Sequence, residues 1–201
     1  MAYIKGLDLI AITDHNSLKQ QRYLKEITKG KIAFLYGVEI SSVEGVHILV
    51  YFNDYNSVIL ADKFIDDYLI RVDNDINYFG HQLIFDQNDQ IVSEYPYLLI
   101  SYLRVSLEKI IEFVYSIDGR VVLAHVLNKA NGIIDTLGFI NEDLKFDGIE
   151  IRNIKDKDLV LDSHPFIKDT IWFINSDSHS LVDINERVNK LDFDLVKHWW
   201  S

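Results

Sequence analysis

Cysteine is absent from the 201 residues of this sequence. Disulfide bonds, thiolate ligands for zinc and cysteine nucleophiles are therefore excluded, and any metal ion must be held by histidine and carboxylate side chains. Proline and glycine are scarce, with two and nine copies, and they mark no flexible linker or internal repeat. The length and this even composition predict a single domain over residues 1–201.

Positive charge is also in short supply, because 20 lysine and arginine residues face 31 aspartates and glutamates, for a formal net charge of −11. This acidic excess disfavours non-specific binding to nucleic acid or to an anionic membrane surface. No run of basic residues forms a docking stripe for duplex DNA. A small phosphorylated substrate such as a nucleotide stays open, since metal ions can supply a positive field locally.

Long apolar runs are missing as well. No run reaches the length of a membrane span, and the first residues lack the apolar core of a secretory signal. These features predict a cytoplasmic protein without a membrane partner. The oligomeric state is left open by the sequence.

Short apolar, β-branched runs alternate with helical patterns along the chain, which is typical of a parallel α/β architecture with strands buried on both faces. The predicted strands cover residues 7–13, 31–36, 47–52, 120–124, 146–151 and 170–174, and the predicted helices cover 18–28, 58–79, 106–116 and 193–200. Residues 82–92 are predicted to form a small hairpin or an extended excursion. Periodicity does not separate a barrel from an open sheet. Both architectures, however, place their sites at the carboxyl ends of the strands.

Residue types that bind metal ions recur at this one place in the topology. Five follow the end of a predicted strand and a sixth opens one: His15, Glu39, His125, Asp177 and His179, with His47 at a strand start. Imidazole and carboxylate suit zinc, manganese or iron, and a bridging carboxylate such as Glu39 could hold two ions around one hydroxide. Each residue alone could equally be a loop or capping residue, but their shared placement favours a site. The remaining histidines, His81, His164 and His198, lack that placement and are interpreted as ordinary structural residues.

Five short segments resemble, in order and spacing, the motifs of the PHP (polymerase and histidinol phosphatase) family of metal-dependent phosphoesterases. They are residues 6–16 (GLDLIAITDHN), 37–41 (GVEIS), 46–49 (VHIL), 123–125 (LAH) and 176–179 (SDSH). A Thr-Asp-His triplet alone would be a weak signal, whereas five ordered motifs spanning most of the chain are specific.

This resemblance implies an α/β fold of the distorted (β/α)7 TIM-like barrel type with two to three divalent metal ions, namely manganese, zinc or iron. It implies that Glu39 bridges the ions, and that Asp14 orients a neighbouring group from behind the ligands. The implied ligand set is His15, Glu39, His47, His125, Asp177 and His179. The implied chemistry is attack of metal-bound hydroxide on a phosphate ester, with a nucleotide or oligonucleotide as substrate.

The sequence departs from the family pattern in two places. The family opens with a strand carrying His-X-His, which is absent here, so we expect a barrel that is incomplete at its N-terminus and Met1 to be an internal methionine of a truncated chain. Relatives also carry Asp and Arg two and three residues after the Ala-His histidine, where this chain has Leu127 and Asn128. Lys129 and Arg152 are candidate substitutes for binding the substrate phosphate.

Three alternatives to a nucleotide phosphoesterase stay open at this stage. One is a histidinol-phosphate-like or other small-molecule phosphatase, since the loops carry no readable specificity code. Another is an inactive, truncated remnant that acts as a binding module. The third is an ordinary α/β domain whose strand-end polar residues coincide by chance.

Overall fold

The structure, a computed structural model, describes residues 1–187 and 189–199. Eight strands are present in this part of the chain: β1 (Leu9–Ile12), β2 (Ala33–Ser41), β3 (His47–Phe52), β4 (Leu83–Phe85), β5 (Ile91–Glu94), β6 (Arg120–Leu123), β7 (Gly148–Glu150) and β8 (Ile171–Phe173). The helices are α1 (Gln21–Thr28), α2 (Tyr55–Tyr68), α3 (Ile76–Phe79), α4 (Leu107–Ser116), α5 (Ile133–Leu137), α6 (Asp156–Ser163) and α7 (Phe193–Val196), with short 3-10 helices at Pro165–Ile167 and Lys197–Trp199.

Six strands form one mixed sheet in the order β1-β2-β3-β6-β7-β8, and β4 pairs with β5 in a separate hairpin. All neighbours in the large sheet are parallel except around β3, which runs antiparallel to both β2 and β6. The prediction of a parallel sheet is therefore wrong for this strand. Only residues 42–46 separate β2 from β3, and a parallel connection needs a crossover of about a dozen residues or more.

The reversed direction of β3 has a direct consequence for the predicted site. Because β3 begins where β2 ends, His47 lies opposite Ser41 in the ladder. The amino end of β3 thus shares an edge of the sheet with the carboxyl ends of its neighbours β2 and β6. The pairing also extends β2 to Ser41, five residues beyond the predicted end at residue 36.

The curled six-stranded sheet is compatible with part of a TIM-like barrel. Within residues 1–187 and 189–199, no strand joins β1 to β8. The finer (β/α)7 arrangement therefore stays a prediction. As an edge strand, β1 is only half-buried, which differs from the expectation that it is buried on both faces, whereas β2 fits that expectation along nearly its whole length.

The sheet separates two apolar clusters. One cluster holds Val38, Ile48 and Leu123 together with the buried faces of α2 and α4. The other holds Leu35 and Leu49 and is covered by the C-terminal segment. Side chains alternate between faces along a strand, so Glu39, four residues after Leu35, belongs to the second face of the sheet.

The helix predicted over residues 58–79 is wrong for residues 69–75, and its last four residues form the separate helix α3. The α2 helix ends at Tyr68, and the chain then runs extended, with bridges from Leu69 to Leu103 and from Asp73 to Tyr97. Backbone groups after Tyr68 are satisfied by the segment before α4, as when Ile70 N donates to the Tyr102 carbonyl at 3.1 Å. An apolar spacing alone does not reveal such a long-range partner.

The remaining predicted elements are present, whereas the short helices α5 and α6 were not predicted. The hairpin predicted at residues 82–92 is confirmed by β4 and β5, and the predicted C-terminal helix appears as α7 and a 3-10 helix. Its final predicted residue, Trp200, lies outside the described residues. No helix in the described part of the chain has both the length and the apolar character needed to cross a membrane.

Candidate metal centre

The candidate site is built around Glu39, a carboxylate on β2 that is only 5% exposed. Its Oε1 lies 2.7 Å from His47 Nδ1 and 3.1 Å from His125 Nε2, and its Oε2 lies 3.8 Å from His15 Nδ1. The imidazole centroids of His15 and His47 are 5.1 Å apart, and those of His47 and His125 are 5.5 Å apart. Four of the six predicted ligands are thus brought together.

The strand ends explain this convergence. His15 follows β1 and forms a parallel bridge with Glu39, whereas His125 follows β6 and His47 opens β3. Asn16, His125 and Asp177 adopt positive φ angles of 46°, 27° and 47°, a region that non-glycine residues seldom occupy. Such backbone outliers concentrate at functional sites, where the surrounding structure holds them in place.

Asn16 is a positioning residue that the sequence reasoning missed. It is 2% exposed, and its amide nitrogen donates to the carbonyls of Leu99 and Ser101 at 2.9 and 2.7 Å. Its side-chain oxygen accepts from Ser41 N at 3.0 Å, and its backbone N donates to the Glu39 carbonyl at 2.8 Å. Asn16 therefore ties the ends of β1 and β2 together, next to His15.

The charges at the centre suit a cation. Burial acts to raise the pKa of Glu39, but the neighbouring His125, His47 and His15 lower this pKa well below its usual range. Burial is also the main reason why the pKa of His15 is lowered, against the opposite pull of Glu39. A neutral imidazole beside an ionised carboxylate is the form in which both groups bind metal ions.

Buried nitrogen atoms at the centre lack partners. Within the described residues, the Nδ1 atoms of His15, His47 and His125 are buried and make no hydrogen bond. His47 Nδ1 lies close to Glu39 but does not have the orientation that a hydrogen bond requires. Unpaired buried polar atoms cost about 1–3 kcal/mol each, and a cation would satisfy them. Ligand atoms of His15, Glu39 and His47 all lie within 4.8 Å of one another, so these residues fit a divalent ion.

The other two predicted ligands lie at the rim of the centre. Asp177 Oδ2 contacts the ammonium of Lys129. His179 is exposed, with Nδ1 3.0 Å from the Asp177 carbonyl and 3.9 Å from its Oδ1. His179 and Lys129 are nevertheless near enough to His15 to contribute to its lowered pKa.

Asp14 contributes its backbone to the centre, since its carbonyl accepts from Glu39 N at 3.2 Å. Asp14 is exposed as a whole, although partial burial of its carboxyl group raises its pKa. It lines an open groove of about 460 Å³ with Gln20 and Leu83, a groove that none of the four clustered side chains lines.

Glu150 is a second buried carboxylate that the sequence reasoning missed. It is 3% exposed, and it accepts from His125 N at 3.1 Å and from Asn175 Nδ2 at 2.6 Å. Burial raises the pKa of Glu150, and these hydrogen bonds oppose the rise. A signal was available, because the glutamate interrupts the apolar run GIEI as Glu39 interrupts GVEI.

Lys129 and Arg152, the predicted phosphate-binding cations, both lie near this rim. Burial lowers the pKa of Lys129, while Glu39 and Glu150 raise it and Arg152 lowers it further. Arg152 follows β7 and is exposed. Both residues therefore lie on the side of the centre that carries Asp177.

Two of the remaining histidines, His164 and His81, are placed apart from the centre. His164 is buried and structural, since its Nε2 accepts from Ile140 N at 3.0 Å and its Nδ1 lies 2.9 Å from the Ser163 hydroxyl. His81 is exposed and pairs with Glu94 at 2.8 Å. The side chain of His198 lies outside what the structure describes.

Comparison with known proteins gives similarity of fold. No family model matches the chain, and no curated protein matches it. Among solved structures, the lesion-specific endonuclease Q from Pyrococcus furiosus is similar with a TM-score of 0.56 and 19% identity, covering 89% of this chain and 42% of that one. The present chain thus spans less than half the length of endonuclease Q.

Two further solved structures show the same likeness. Endonuclease Q in complex with a 27-mer duplex carrying an abasic lesion at its active site has a TM-score of 0.55 and 19% identity, again covering 89% and 42% of the two chains. An amidohydrolase from Chromobacterium violaceum, with bound sulfate and no metal, has a TM-score of 0.56 and 18% identity, covering 95% and 84%. The expectation that duplex DNA is excluded finds no support in these comparisons.

Proposed function

We propose that this protein is a metal-dependent phosphoesterase of the PHP type, which hydrolyses a phosphate ester at the centre around Glu39. The observation that carries the proposal is the convergence of three imidazoles on one buried, ionised carboxylate, with unpaired buried nitrogen atoms on all three. The fold similarity to a metal-free amidohydrolase and to an endonuclease is compatible with a hydrolase but does not specify the bond that is broken.

The proposed ligands divide into two groups. His15, Glu39 and His47 form the compact set, and His125 adjoins it through Glu39. Asp177 and His179, which contact each other at the rim, are the proposed ligands on the opposite side from this set. When bound, manganese, zinc or iron would supply a water of lowered pKa as nucleophile and neutralise charge on the phosphoryl group.

The residues of the chain have distinct tasks in this proposal. Glu39 stays ionised across the neutral range because its pKa is held low, so it remains a ligand at working pH. The hydrogen bonds of Asn16 fix the strand ends on which His15 and Glu39 lie. Lys129 and Arg152 supply positive charge for phosphate oxygens, and Asp14 acts from outside the centre.

A nucleotide or oligonucleotide is the proposed substrate class. The chain is strongly acidic, which favours a short substrate over a long duplex unless the centre itself attracts the phosphate. Endonuclease Q, whose structure has been solved with a lesion-bearing duplex, is the reason to include duplex DNA among the substrates tested.

The test is a phosphatase and phosphodiesterase panel with manganese or zinc added to metal-free protein. It compares a nucleoside 3′,5′-bisphosphate, a short oligonucleotide, an abasic duplex and histidinol phosphate. We expect hydrolysis of a nucleotide substrate, and a loss of more than about 100-fold in Glu39→Gln, since outer partners of metal ligands alone account for about 10- to 100-fold. His81→Ala, which changes an exposed histidine in a carboxylate pair, should retain full activity.

Other outcomes identify the alternatives. Preference for histidinol phosphate would indicate a small-molecule phosphatase. Metal binding without hydrolysis of any ester would favour a remnant that acts as a binding module. Equal activity of wild type and Glu39→Gln would contradict the proposal.

A further inference from the structure

Lys129 occupies an unusual position for a lysine. Its ammonium contacts Oδ2 of Asp177, and the two side chains are only 27% and 14% exposed. Most lysines keep the ammonium in open water. Here it lies at the rim of a centre that is otherwise composed of carboxylates and imidazoles.

The loop after β6 holds Lys129 in this position. Asn128 and Asn131 have φ angles of 62° and 68°, Lys129 N donates to Asp135 Oδ2 at 3.1 Å, and the Lys129 carbonyl accepts from Gly132 N at 3.1 Å. A side chain at position 132 would approach the His125 carbonyl to 2.4 Å. The loop therefore packs tightly against the centre, and its backbone holds Lys129 in position.

The surrounding charges explain why a cation belongs there. Burial and the neighbouring Arg152 lower the pKa of Lys129, whereas Glu39 and Glu150 act through space in the direction that favours its charged form. Asp177 contacts the ammonium directly through Oδ2, and His179 Nδ1 lies 3.9 Å from Asp177 Oδ1. One carboxylate thus contacts the ammonium, and two others act on it through space.

A divalent ion on Asp177 would compete with this ammonium. Two positive charges close together repel each other, and more strongly near a protein surface than in open water. The contact with Lys129 also occupies one of the two carboxylate oxygens of Asp177, which leaves only Oδ1 of this residue for a second ion.

We propose that Lys129 is a tethered cation that takes the Asp177 side of the centre in place of a second divalent ion. The chain then holds one ion tightly, on His15, Glu39 and His47, and the ammonium supplies the second positive charge that a phosphoryl group meets. This inference rests on the proposed function, because the tight ion is the one assigned there.

The test counts manganese or zinc ions per chain by elemental analysis and native mass spectrometry, after metal loading and desalting. Wild type should retain one ion, and Lys129→Met should retain two because Asp177 is released. Lys145→Met, which removes an exposed lysine whose side chain has no partner among the described residues, should retain one. Lys129→Met combined with Asp177→Asn should return the count to one.

The outcomes separate the two proposals. Two ions in wild type and two in Lys129→Met would overturn the role of Lys129 while leaving the metal centre intact. One ion in wild type and one in Lys129→Met would also overturn it. Absence of metal from every variant would contradict the proposed function as well. A wild-type count of two ions would overturn the role of Lys129 by itself, however the variants fold.

Discussion

Nε2 of His125 donates a hydrogen bond to Oε1 of Glu39 at 3.1 Å, although 86 positions separate the two residues in the sequence. The residues lie on β2 and after β6, which are not neighbours but flank the antiparallel strand β3. The bond therefore spans β3 at the edge where His47 begins it. This arrangement makes Glu39 the common partner of three strand ends.

The first prediction concerns the acid stability of metal-free protein. The lowered pKa of Glu39 means that its ionised form stabilises the fold above the ordinary glutamate value of about 4.3, and that this stability is lost as the pH falls through the lower folded value. Glu39→Gln should therefore be destabilised by about 2 kcal/mol at neutral pH. The difference from wild type should start to shrink as the pH falls below about 5 and should go on shrinking down to the lowered folded pKa of Glu39.

Urea unfolding at several pH values, with chelator present, measures this effect. Glu94→Gln is the matched control, because Glu94 pairs with His81 at 2.8 Å on the surface. That variant should change the free energy of unfolding by less than about 1 kcal/mol. A Glu39→Gln difference that stays constant with pH would show that the ionised carboxylate does not stabilise the fold.

The second prediction concerns Asn16, whose side chain makes three hydrogen bonds while 2% exposed. Asn16→Ala leaves the buried carbonyls of Leu99 and Ser101 and the N–H of Ser41 without this partner, which should cost about 3 kcal/mol. Manganese affinity should fall as well, because His15 and Glu39 lose their shared support. Asn88→Ala, at an exposed turn, should stay within about 0.5 kcal/mol of wild type. Wild-type manganese affinity in Asn16→Ala would show that Asn16 does not support the metal centre.

The third prediction concerns Glu150, which accepts hydrogen bonds with both carboxylate oxygens. Glu150→Gln keeps one acceptor oxygen, removes the negative charge and turns an N–H donor towards either His125 N or Asn175, so one of the two hydrogen bonds must be lost or rearranged. We expect metal affinity to fall by about 10-fold or more, measured by calorimetric titration. Glu142→Gln, at an exposed position, is the control and should bind normally. Unchanged affinity in Glu150→Gln would mean that Glu150 does not position the ligands.

The fourth prediction separates stability from metal binding. Asp54 caps α2, accepting from the backbone N–H groups of Asn56 and Ser57 at 2.8 and 3.1 Å. Asp54→Ala should lower the free energy of unfolding by about 1 kcal/mol and leave metal affinity unchanged, because the helix start lies outside the centre. Asp143→Ala, in an exposed turn, is the control for stability. A loss of metal affinity in Asp54→Ala would mean that destabilisation alone explains such losses elsewhere.

The sequence predicted the features that local chemistry determines. Apolar runs marked the strands, and polar residues at their ends predicted the cluster of His15, Glu39, His47 and His125. These residues lie close together because strand ends of one sheet share an edge. His47 reaches that edge by a different route, since β3 is reversed and presents its start there.

The features that were missed depend on distant partners. The end of α2 at Tyr68 is set by pairing of Leu69 with Leu103, and apolar spacing continues past that point. The contact between Lys129 and Asp177 joins two loops whose meeting no periodicity records. Glu150 was not predicted because it is a single acidic residue within a short strand that is otherwise apolar.

The role of Glu39 in the metal centre is tested most directly by calorimetric titration of manganese or zinc into metal-free wild type and Glu39→Gln, with Glu94→Gln as control. We expect tight binding by wild type and by the control, and a loss of metal affinity of more than about 100-fold in Glu39→Gln. Equal affinity of wild type and Glu39→Gln, with both folded, would contradict the central claim that Glu39 organises a metal centre.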